Sequence, residues 1–234
     1  MSIYYQDENV TLYHGDCIDV LAGLDRESVD VVLTDPPFFM PAAHYSSRTQ
    51  WKRSWGDTSI LAVFWGQALD AMVPTMRTTG HLLTFCDGAS YPVFYPEVYR
   101  RFDALRSLVW DKGRIGMGSP YRNQHELVIA ARWSGSSRTD ERGVADVFKH
   151  PPVGSSNRVH PVDKPVSLLV DMLRPVASEG SVILDPFAGG GSTLVAAKGA
   201  GHRAIGIETE ERYCEIVANR LENSRYAFDF GGAS

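Results

Sequence analysis

The sequence has few cysteines and no long apolar run. Its three cysteines, Cys17, Cys86 and Cys214, are odd in number and far apart in the chain. This pattern indicates reduced thiols and argues against a disulfide framework or a zinc site. No apolar stretch approaches the roughly 18 residues that a membrane-spanning helix needs. Residues 1–8 lack the basic and apolar parts of a signal peptide. We therefore expect a cytoplasmic protein with no membrane segment and no metal.

The chain also lacks an overall positive charge. Its formal net charge is −5 over 234 residues. Residues 100–158 nevertheless contain 11 Lys/Arg and 6 Asp/Glu, a balance of +5, whereas the remainder has a balance of −10. A basic segment in an acidic chain is typical of a surface that binds phosphates, although charge alone fits a solvated arginine-rich surface equally well. Hydrophobic residues make up 44%, enough for the core of one domain spanning residues 1–234.

Short β-branched, apolar runs alternate with helical patterns along the chain. Residues 29–33 and 181–184 are such runs and are typical of buried strands in a parallel sheet. Strands that alternate with helices predict an α/β fold, with a mostly parallel sheet and helices on both faces. Residues 105–110 and 126–131 are predicted to form a strand pair. Residues 132–160 are low in apolar side chains and are predicted to be loop or a minimal appended segment.

A glycine-rich sequence, Asp-Pro-Phe-Ala-Gly-Gly-Gly-Ser-Thr, occupies residues 185–193. Its glycines let a ligand approach backbone amides, and the Ser-Thr pair favours a helix start. The next predicted strand ends in Glu208, about twenty residues beyond Gly189, where a nucleotide-binding βαβ unit places an acid for ribose hydroxyls. The third glycine of an NAD fingerprint would fall at Leu194, which weakens a dinucleotide interpretation. A turn that only packs the helix on the sheet is the other alternative.

The sequence Asp35-Pro36-Pro37-Phe38 follows the first of these strands. Two successive prolines stiffen the loop and preset two acceptors, the Asp35 carboxylate and the backbone carbonyl of Pro36. Phe38 adds a flat apolar surface beside them. An exocyclic amino group on a base needs two acceptors for its hydrogens and a ring to stack against. A duplex base must be flipped out to reach such a pocket. The alternative is a turn with a capping aspartate.

Together these motifs resemble the amino-methylating DNA methyltransferases that use S-adenosylmethionine, in the permuted group whose catalytic loop precedes the cofactor loop. Residues 160–165, His-Pro-Val-Asp-Lys-Pro, resemble the family's segment before the cofactor strand. Residues 15–17 resemble the acidic turn that contacts the cofactor's adenine, and residues 124–126 match another recurring segment. The resemblance implies a Rossmann-like, S-adenosylmethionine-dependent methyltransferase fold, with residues 132–160 as a minimal target-recognition segment.

The resemblance also implies roles for individual residues. The catalytic residues would be Asp35, Pro36, Pro37 and Phe38. Asp185 and the glycine backbone would hold the cofactor's methionine part, with Lys164 near its carboxylate and Phe187 beside it. Glu208 would take the ribose hydroxyls and Asp16 the adenine amino group. The full set of expected cofactor-binding residues is Asp16, Cys17, Lys164, Asp185, Phe187, Ala188, Gly189, Gly190, Gly191 and Glu208. Many members have serine in place of Gly190.

The expected macromolecular partner is double-stranded DNA. Its phosphates would be contacted by the basic segment and by the aromatic and basic residues between positions 40 and 57. The candidate DNA-binding residues are Arg48, Lys52, Arg53, Arg114, Arg122, Arg138 and Arg158. Nothing in the sequence fixes the oligomeric state, so a homodimer stays open.

The expected product is N6-methyladenine, because family usage favours adenine when the catalytic motif starts with Asp. Cytosine N4 is the nearest alternative, since both amines suit the same pocket. Two further alternatives are an RNA or small-molecule methyltransferase and a nucleic-acid-binding protein on an inactive scaffold. An inactive scaffold would be expected to have lost Asp35, Phe38 or Glu208, and all three are present.

Overall fold

The computed structural model describes residues 2–38, 57–116, 120–135, 143–154 and 163–229, the last six of these by backbone alone. Within those ranges, nine strands form one sheet. The strands are β1 (Ser2–Gln6), β2 (Val10–His14), β3 (Val29–Thr34), β4 (Met76–Cys86), β5 (Ala104–Asp111), β6 (His125–Arg132), β7 (Val147–Lys149), β8 (Val182–Asp185) and β9 (Arg203–Glu208). The helices are α1 (Cys17–Leu21), α2 (Thr58–Met72), α3 (Tyr91–Tyr99), α4 (Val166–Leu173), α5 (Ser192–Gly199) and α6 (Glu211–Asp229), and a short 3-10 helix covers Val73–Thr75.

The sheet is mostly parallel, as the sequence predicted. Its strand order is β1-β2-β9-β8-β3-β4-β6-β5-β7. The five strands β2, β9, β8, β3 and β4 run parallel to one another. β6 is antiparallel to both of its neighbours, and β1 is antiparallel to β2. The carboxyl ends of the five parallel strands therefore share one edge of the sheet, which is where open α/β sheets bind ligands.

Helices cover both faces of the sheet, which confirms the predicted α/β fold. Side chains from α1, α2 and α3, such as Trp65, pack against one face. Side chains from α4, α5 and α6, such as Leu169, pack against the other. Successive strand residues alternate between the two cores: Leu82 joins the first and Leu83 the second. This alternation is the period of two that a strand imposes on its side chains. Among the described residues, no helix is both long and apolar enough to cross a membrane.

The prediction that residues 132–160 are loop or an appended segment is wrong at residues 147–149. These residues form β7, which pairs in parallel with β5 and extends the sheet. Phe148 is buried in the core, and the indole N–H of Trp110 donates to the carbonyl of His150 at 2.8 Å. Three residues are too few to show a period in the sequence, so only these long-range contacts define the strand. Helix α2, which precedes β4, ends at Met72, because Pro74 lies in the 3-10 helix that follows and β4 begins at Met76.

Four neighbouring strands each deliver an acidic residue to the carboxyl edge of the sheet. In spatial order, Asp16 follows β2, Glu208 ends β9, Asp185 ends β8 and Asp35 follows β3. The chain order of these strands differs from their spatial order, so the sheet gathers residues that are far apart in sequence. This edge contains the two sequence motifs and is the candidate active site.

Candidate active site

Asp35 lies in the loop immediately after β3, with its side chain only 16% exposed. Its two carboxylate oxygens have different surroundings. Oδ2 accepts a hydrogen bond from the Nζ of Lys164. Oδ1 is buried and has no hydrogen-bond partner among the described residues. A buried acceptor without a donor is costly, and it is common where a ligand supplies the missing partner.

Lys164 is the centre of a buried ionic chain. Its side chain is 6% exposed, and its Nζ lies 3.2 Å from Oε2 of Glu126 as well as against Asp35. The other oxygen of Glu126, Oε1, accepts from the Nζ of Lys112 at 2.6 Å. Nζ of Lys164 also lies 4.9 Å from the ring centroid of Phe85. Two carboxylates and two ammonium groups therefore alternate from the β5–β6 connection to the loop after β3.

The protonation of this chain follows from burial and from the neighbouring charges. Burial, the largest influence, raises the pKa of Asp35 to about 6; Lys164 lowers this pKa, and Glu126 and Asp185 raise it. Burial also works against the charge of Lys164, but Asp35 and Glu126 outweigh it and raise the lysine's pKa. Burial opposes the charge of Glu126 too, yet its two lysines hold its pKa below the usual value. At neutral pH the charges consequently alternate in sign.

Asp185 joins the loop after β3 to the glycine loop. Its Oδ1 accepts from the hydroxyl of Thr34 at 2.8 Å and from the backbone N–H of Phe187 at 3.1 Å. The hydroxyl of Thr193, in the first turn of α5, also bonds this carboxylate. Burial raises the pKa of Asp185, while these three hydrogen bonds oppose the increase. Asp185 thus fixes the end of β3, immediately before Asp35, relative to the start of α5.

Glu208 shapes the glycine loop from the adjacent strand. Its Oε2 accepts from the backbone N–H of Gly189 at 2.9 Å, and its Oε1 accepts from that of Glu210 at 2.8 Å. Burial raises the pKa of this carboxylate, and the backbone hydrogen bonds oppose the increase. Each carboxylate oxygen has two acceptor positions. The backbone N–H of Thr209 also bonds the Glu208 carboxylate, so one of its four acceptor positions remains for a further donor such as a ribose hydroxyl.

The last glycine of the loop is required by both backbone conformation and packing. Gly191 has φ of +76°, a left-handed conformation that glycine adopts without a steric penalty. A Cβ at this position would lie 2.8 Å from Cγ1 of Val217, a side chain of α6. Arg220, also on α6, donates to the carbonyl of Gly190 at 2.7 Å and to Oγ of Ser192 at 3.2 Å. Helix α6 therefore packs against the glycine loop and donates hydrogen bonds to it.

The remaining expected cofactor residues lie around this edge. Asp16 is exposed and caps α1, where its Oδ1 accepts from the N–H of Ile18 at 2.8 Å. Cys17 is buried in the core, and burial raises the pKa of its thiol to about 12, so only its backbone is available at the edge. The ring of Phe187 lies 5.7 Å from that of Phe64, and the N–H of Ala188 donates to the carbonyl of Ile207 at 2.9 Å.

Two of the expected DNA-binding residues lie in the connection between β5 and β6. Arg114 and Arg122 are both exposed, and Nε of Arg122 donates to the carbonyl of Gly116 at 2.6 Å. This connection leaves the sheet at the catalytic edge, because β4 and β5 are both antiparallel to β6 and therefore end at the same edge. The other five lie outside the described residues: Arg48, Lys52, Arg53, Arg138 and Arg158.

Sequence reasoning missed several residues that shape the site: Thr34, Phe85, Lys112, Glu126 and Arg220. Residues 124–126 match a recurring segment of the family, but that match gives Glu126 no role. A carboxylate at the start of an apolar strand was the available signal, because such a residue is rarely buried without a partner. Thr34 and Arg220 carried no comparable signal.

The fold and the motifs define a class of protein. The family model described as DNA methylase, for the N6/N4 methyltransferases, matches residues 29–219. The match covers most of the chain and contains Asp35, Glu126, Lys164, the glycine loop and Glu208. The chain therefore belongs to the N6/N4 DNA methylase family and is a methyltransferase of that family.

Individual relatives agree with this assignment. YubD of Escherichia coli (strain K12), named as a methylase, is 30% identical over 226 residues, which cover 94% of this chain and 93% of YubD. The fold matches the PvuII DNA methyltransferase (cytosine-N4-specific) with a TM-score of 0.77 at 15% identity, over 94% of this chain and 88% of that one. It matches M1.HpyAVI, solved as a complex with SAM, with a TM-score of 0.70 at 19% identity, over 91% and 98% of the two chains.

Proposed function

We propose that this protein transfers a methyl group from S-adenosylmethionine to the exocyclic N6 of adenine in double-stranded DNA, after the base is flipped out of the helix. The observation that carries the proposal is Oδ1 of Asp35, a buried acceptor for which the described residues supply no donor. An exocyclic amine supplies such a donor. Membership of a DNA methylase family gives the reaction class.

The site would activate the amine by holding its hydrogens. Oδ1 of Asp35 accepts one N–H, the backbone carbonyl of Pro36 accepts the other, and the ring of Phe38 stacks on the base. The lone pair of the amine would then be less delocalised into the base and would bond to the methyl carbon as that carbon's bond to sulfur breaks, with the sulfur keeping the electron pair of the broken bond. The methylated nitrogen must next lose a proton. Because the pKa of Asp35 is raised to about 6, this carboxylate is a better proton acceptor than an exposed aspartate.

S-Adenosylmethionine supplies an electrophilic methyl group when it is bound. The neighbouring edge of the sheet suits it, because Glu208 keeps an acceptor position for a ribose hydroxyl beside the glycine loop. Asp16 caps α1 through one oxygen, which leaves the other for the adenine amino group. Nζ of Lys164 has three donors. One is bonded to Asp35 and Nζ forms an ion pair with Glu126 at 3.2 Å, so a further donor is available to the methionine carboxylate.

Cytosine N4 is the alternative target, favoured by the cytosine-N4 specificity that the PvuII enzyme's name records. Adenine is preferred because the catalytic motif begins with Asp35. To decide between them, purified protein and S-adenosylmethionine should be incubated with unmethylated duplex DNA, and the digested nucleosides identified by mass spectrometry. We expect N6-methyladenine. N4-methylcytosine would establish the alternative, and 5-methylcytosine or the absence of any methylated base would refute the proposal.

DNA contact is proposed for the exposed arginines of the β5–β6 connection. Replacing Arg114 or Arg122 with glutamine should lower DNA affinity and reduce the slope of log affinity against log salt by about one per lost phosphate contact. The measurement is a titration of labelled duplex DNA at several salt concentrations. Arg203→Gln is the matched control, because Arg203 is exposed at the amino end of β9, on the opposite edge of the sheet. Equal slopes for all three variants and the wild type would contradict this assignment.

A further inference from the structure

Glu126 reaches the site because of the sheet topology. β6 is antiparallel to β4, and Leu127 pairs with Cys86 at the carboxyl end of β4. The start of β6 therefore lies at the same edge as the loop after β3. Glu126 also pairs with Trp110 on β5, which brings Lys112 within reach of its carboxylate. The side chain of Glu126 is 19% exposed, and each of its oxygens faces one lysine.

A lone lysine beside Asp35 would be free to donate to both carboxylate oxygens. Its ammonium group has three donors that rotate about one flexible stem. In this site Nζ of Lys164 is shared between Oδ2 of Asp35 and Oε2 of Glu126, at 3.2 Å from the latter. The rings of Phe85 and Phe38 lie 4.9 and 5.7 Å from this nitrogen. The lysine is thus held on one side of Asp35.

We infer that Glu126 is a positioning residue for methyl transfer, holding Lys164 on Oδ2 of Asp35 so that Oδ1 stays open for the target amine. The inference rests on the proposed function of Asp35. Lys112 keeps Glu126 in place by binding its other oxygen and by neutralising its charge. Without Glu126, Lys164 would have Asp35 as its main partner and would compete with the amine for Oδ1.

The test is Glu126→Gln, which keeps the shape and removes the charge. We expect kcat to fall by about tenfold or more, as small displacements of catalytic groups cause, while the KM for S-adenosylmethionine changes by less than about threefold. The acid limb of the pH profile of kcat should also move to lower pH. In the described part of the chain, the charged groups around Asp35 are Lys164, Glu126 and Asp185, and removing the negative charge of Glu126 lowers the pKa of Asp35.

Glu97→Gln is the matched control. Glu97 on α3 is similarly buried at 16% exposure and is likewise paired with two cations, Arg100 and Arg101, but lies outside the site. We expect this variant to lose stability without any shift of the acid limb.

A Glu126→Gln protein that is folded, as judged by its thermal unfolding, and that keeps both the kcat and the acid limb of the wild type would overturn the inference. If Glu126→Gln does not fold, Lys112→Met tests the positioning through kcat alone. This variant releases one oxygen of Glu126 but keeps its negative charge, so kcat should fall without a shift of the acid limb to lower pH, and an unchanged kcat would overturn the inference. Failure of amine methylation itself would be distinguishable, because the wild-type protein would then give neither N6-methyladenine nor N4-methylcytosine in DNA.

Discussion

Asp35→Asn is expected to reduce the rate of methyl transfer by about 10³-fold or more while leaving the affinity for S-adenosylmethionine within a few-fold of the wild type. The amide retains only one acceptor oxygen, loses the charge that binds Lys164 and cannot take up the proton released by the amine. The rate should be measured in single turnovers on duplex DNA, and the cofactor affinity by calorimetry. For the wild type, kcat should fall as the pH drops through about 6, because protonation removes the acceptor that Asp35 provides.

Asp25→Asn is the matched control for this variant. Asp25 is an exposed carboxylate before the start of β3, whereas Asp35 follows the end of the same strand. The control should retain full activity and full cofactor affinity. An Asp35→Asn enzyme that methylates DNA at close to the wild-type rate would show that the buried acceptor is not part of the reaction.

Glu208→Gln should weaken the binding of S-adenosylmethionine by about 10- to 100-fold. Charge-assisted hydrogen bonds to ribose hydroxyls contribute roughly 1.5–3 kcal/mol each. The glutamine amide has only one oxygen, and that oxygen accepts hydrogen bonds more weakly than a carboxylate does. The variant should also be less stable. The amide NH₂ group would replace the oxygen that accepts from the backbone N–H of either Gly189 or Glu210, so that two donors would face each other. Calorimetry reports the affinity, and thermal unfolding without cofactor reports the stability.

These two measurements separate the role of Glu208 in the loop from its role in binding. Glu211→Gln, at an exposed position in the first turn of α6, is the control and should bind the cofactor normally. A Glu208→Gln protein with lower stability but unchanged affinity would mean that this carboxylate only braces the glycine loop.

The sequence was most informative about features formed by contiguous residues. The strand before Asp35, the strand before the glycine loop and the strand ending in Glu208 were predicted within one or two residues of β3, β8 and β9. Such predictions succeed because a buried strand and the loop after it are defined by their own apolar run and turn residues. The same locality explains the failure at β7, a short edge strand whose own residues show no clear pattern.

The partners of the catalytic carboxylate depend on contacts that are distant in the chain. Lys164 and Asp35 are 129 residues apart, and Thr34 and Asp185 are 151 residues apart. By resemblance, Lys164 was expected near the methionine carboxylate. The structure places it between Asp35 and Glu126, and contact with the cofactor stays a proposal. No local pattern encodes these pairings, because they arise only when β8 lies beside β3 and β6 beside β4.

The sequence by itself determined the α/β class, the two motif loops and the family of the protein, because each depends on short segments whose backbone preferences are local. The tertiary structure decided which oxygen of Asp35 remains available to a ligand and which residues keep Lys164 on the other oxygen. The order of the strands, set by helices packing on both faces of the sheet, brings Glu126 and Lys164 to one side of Asp35 and leaves the other side for a ligand.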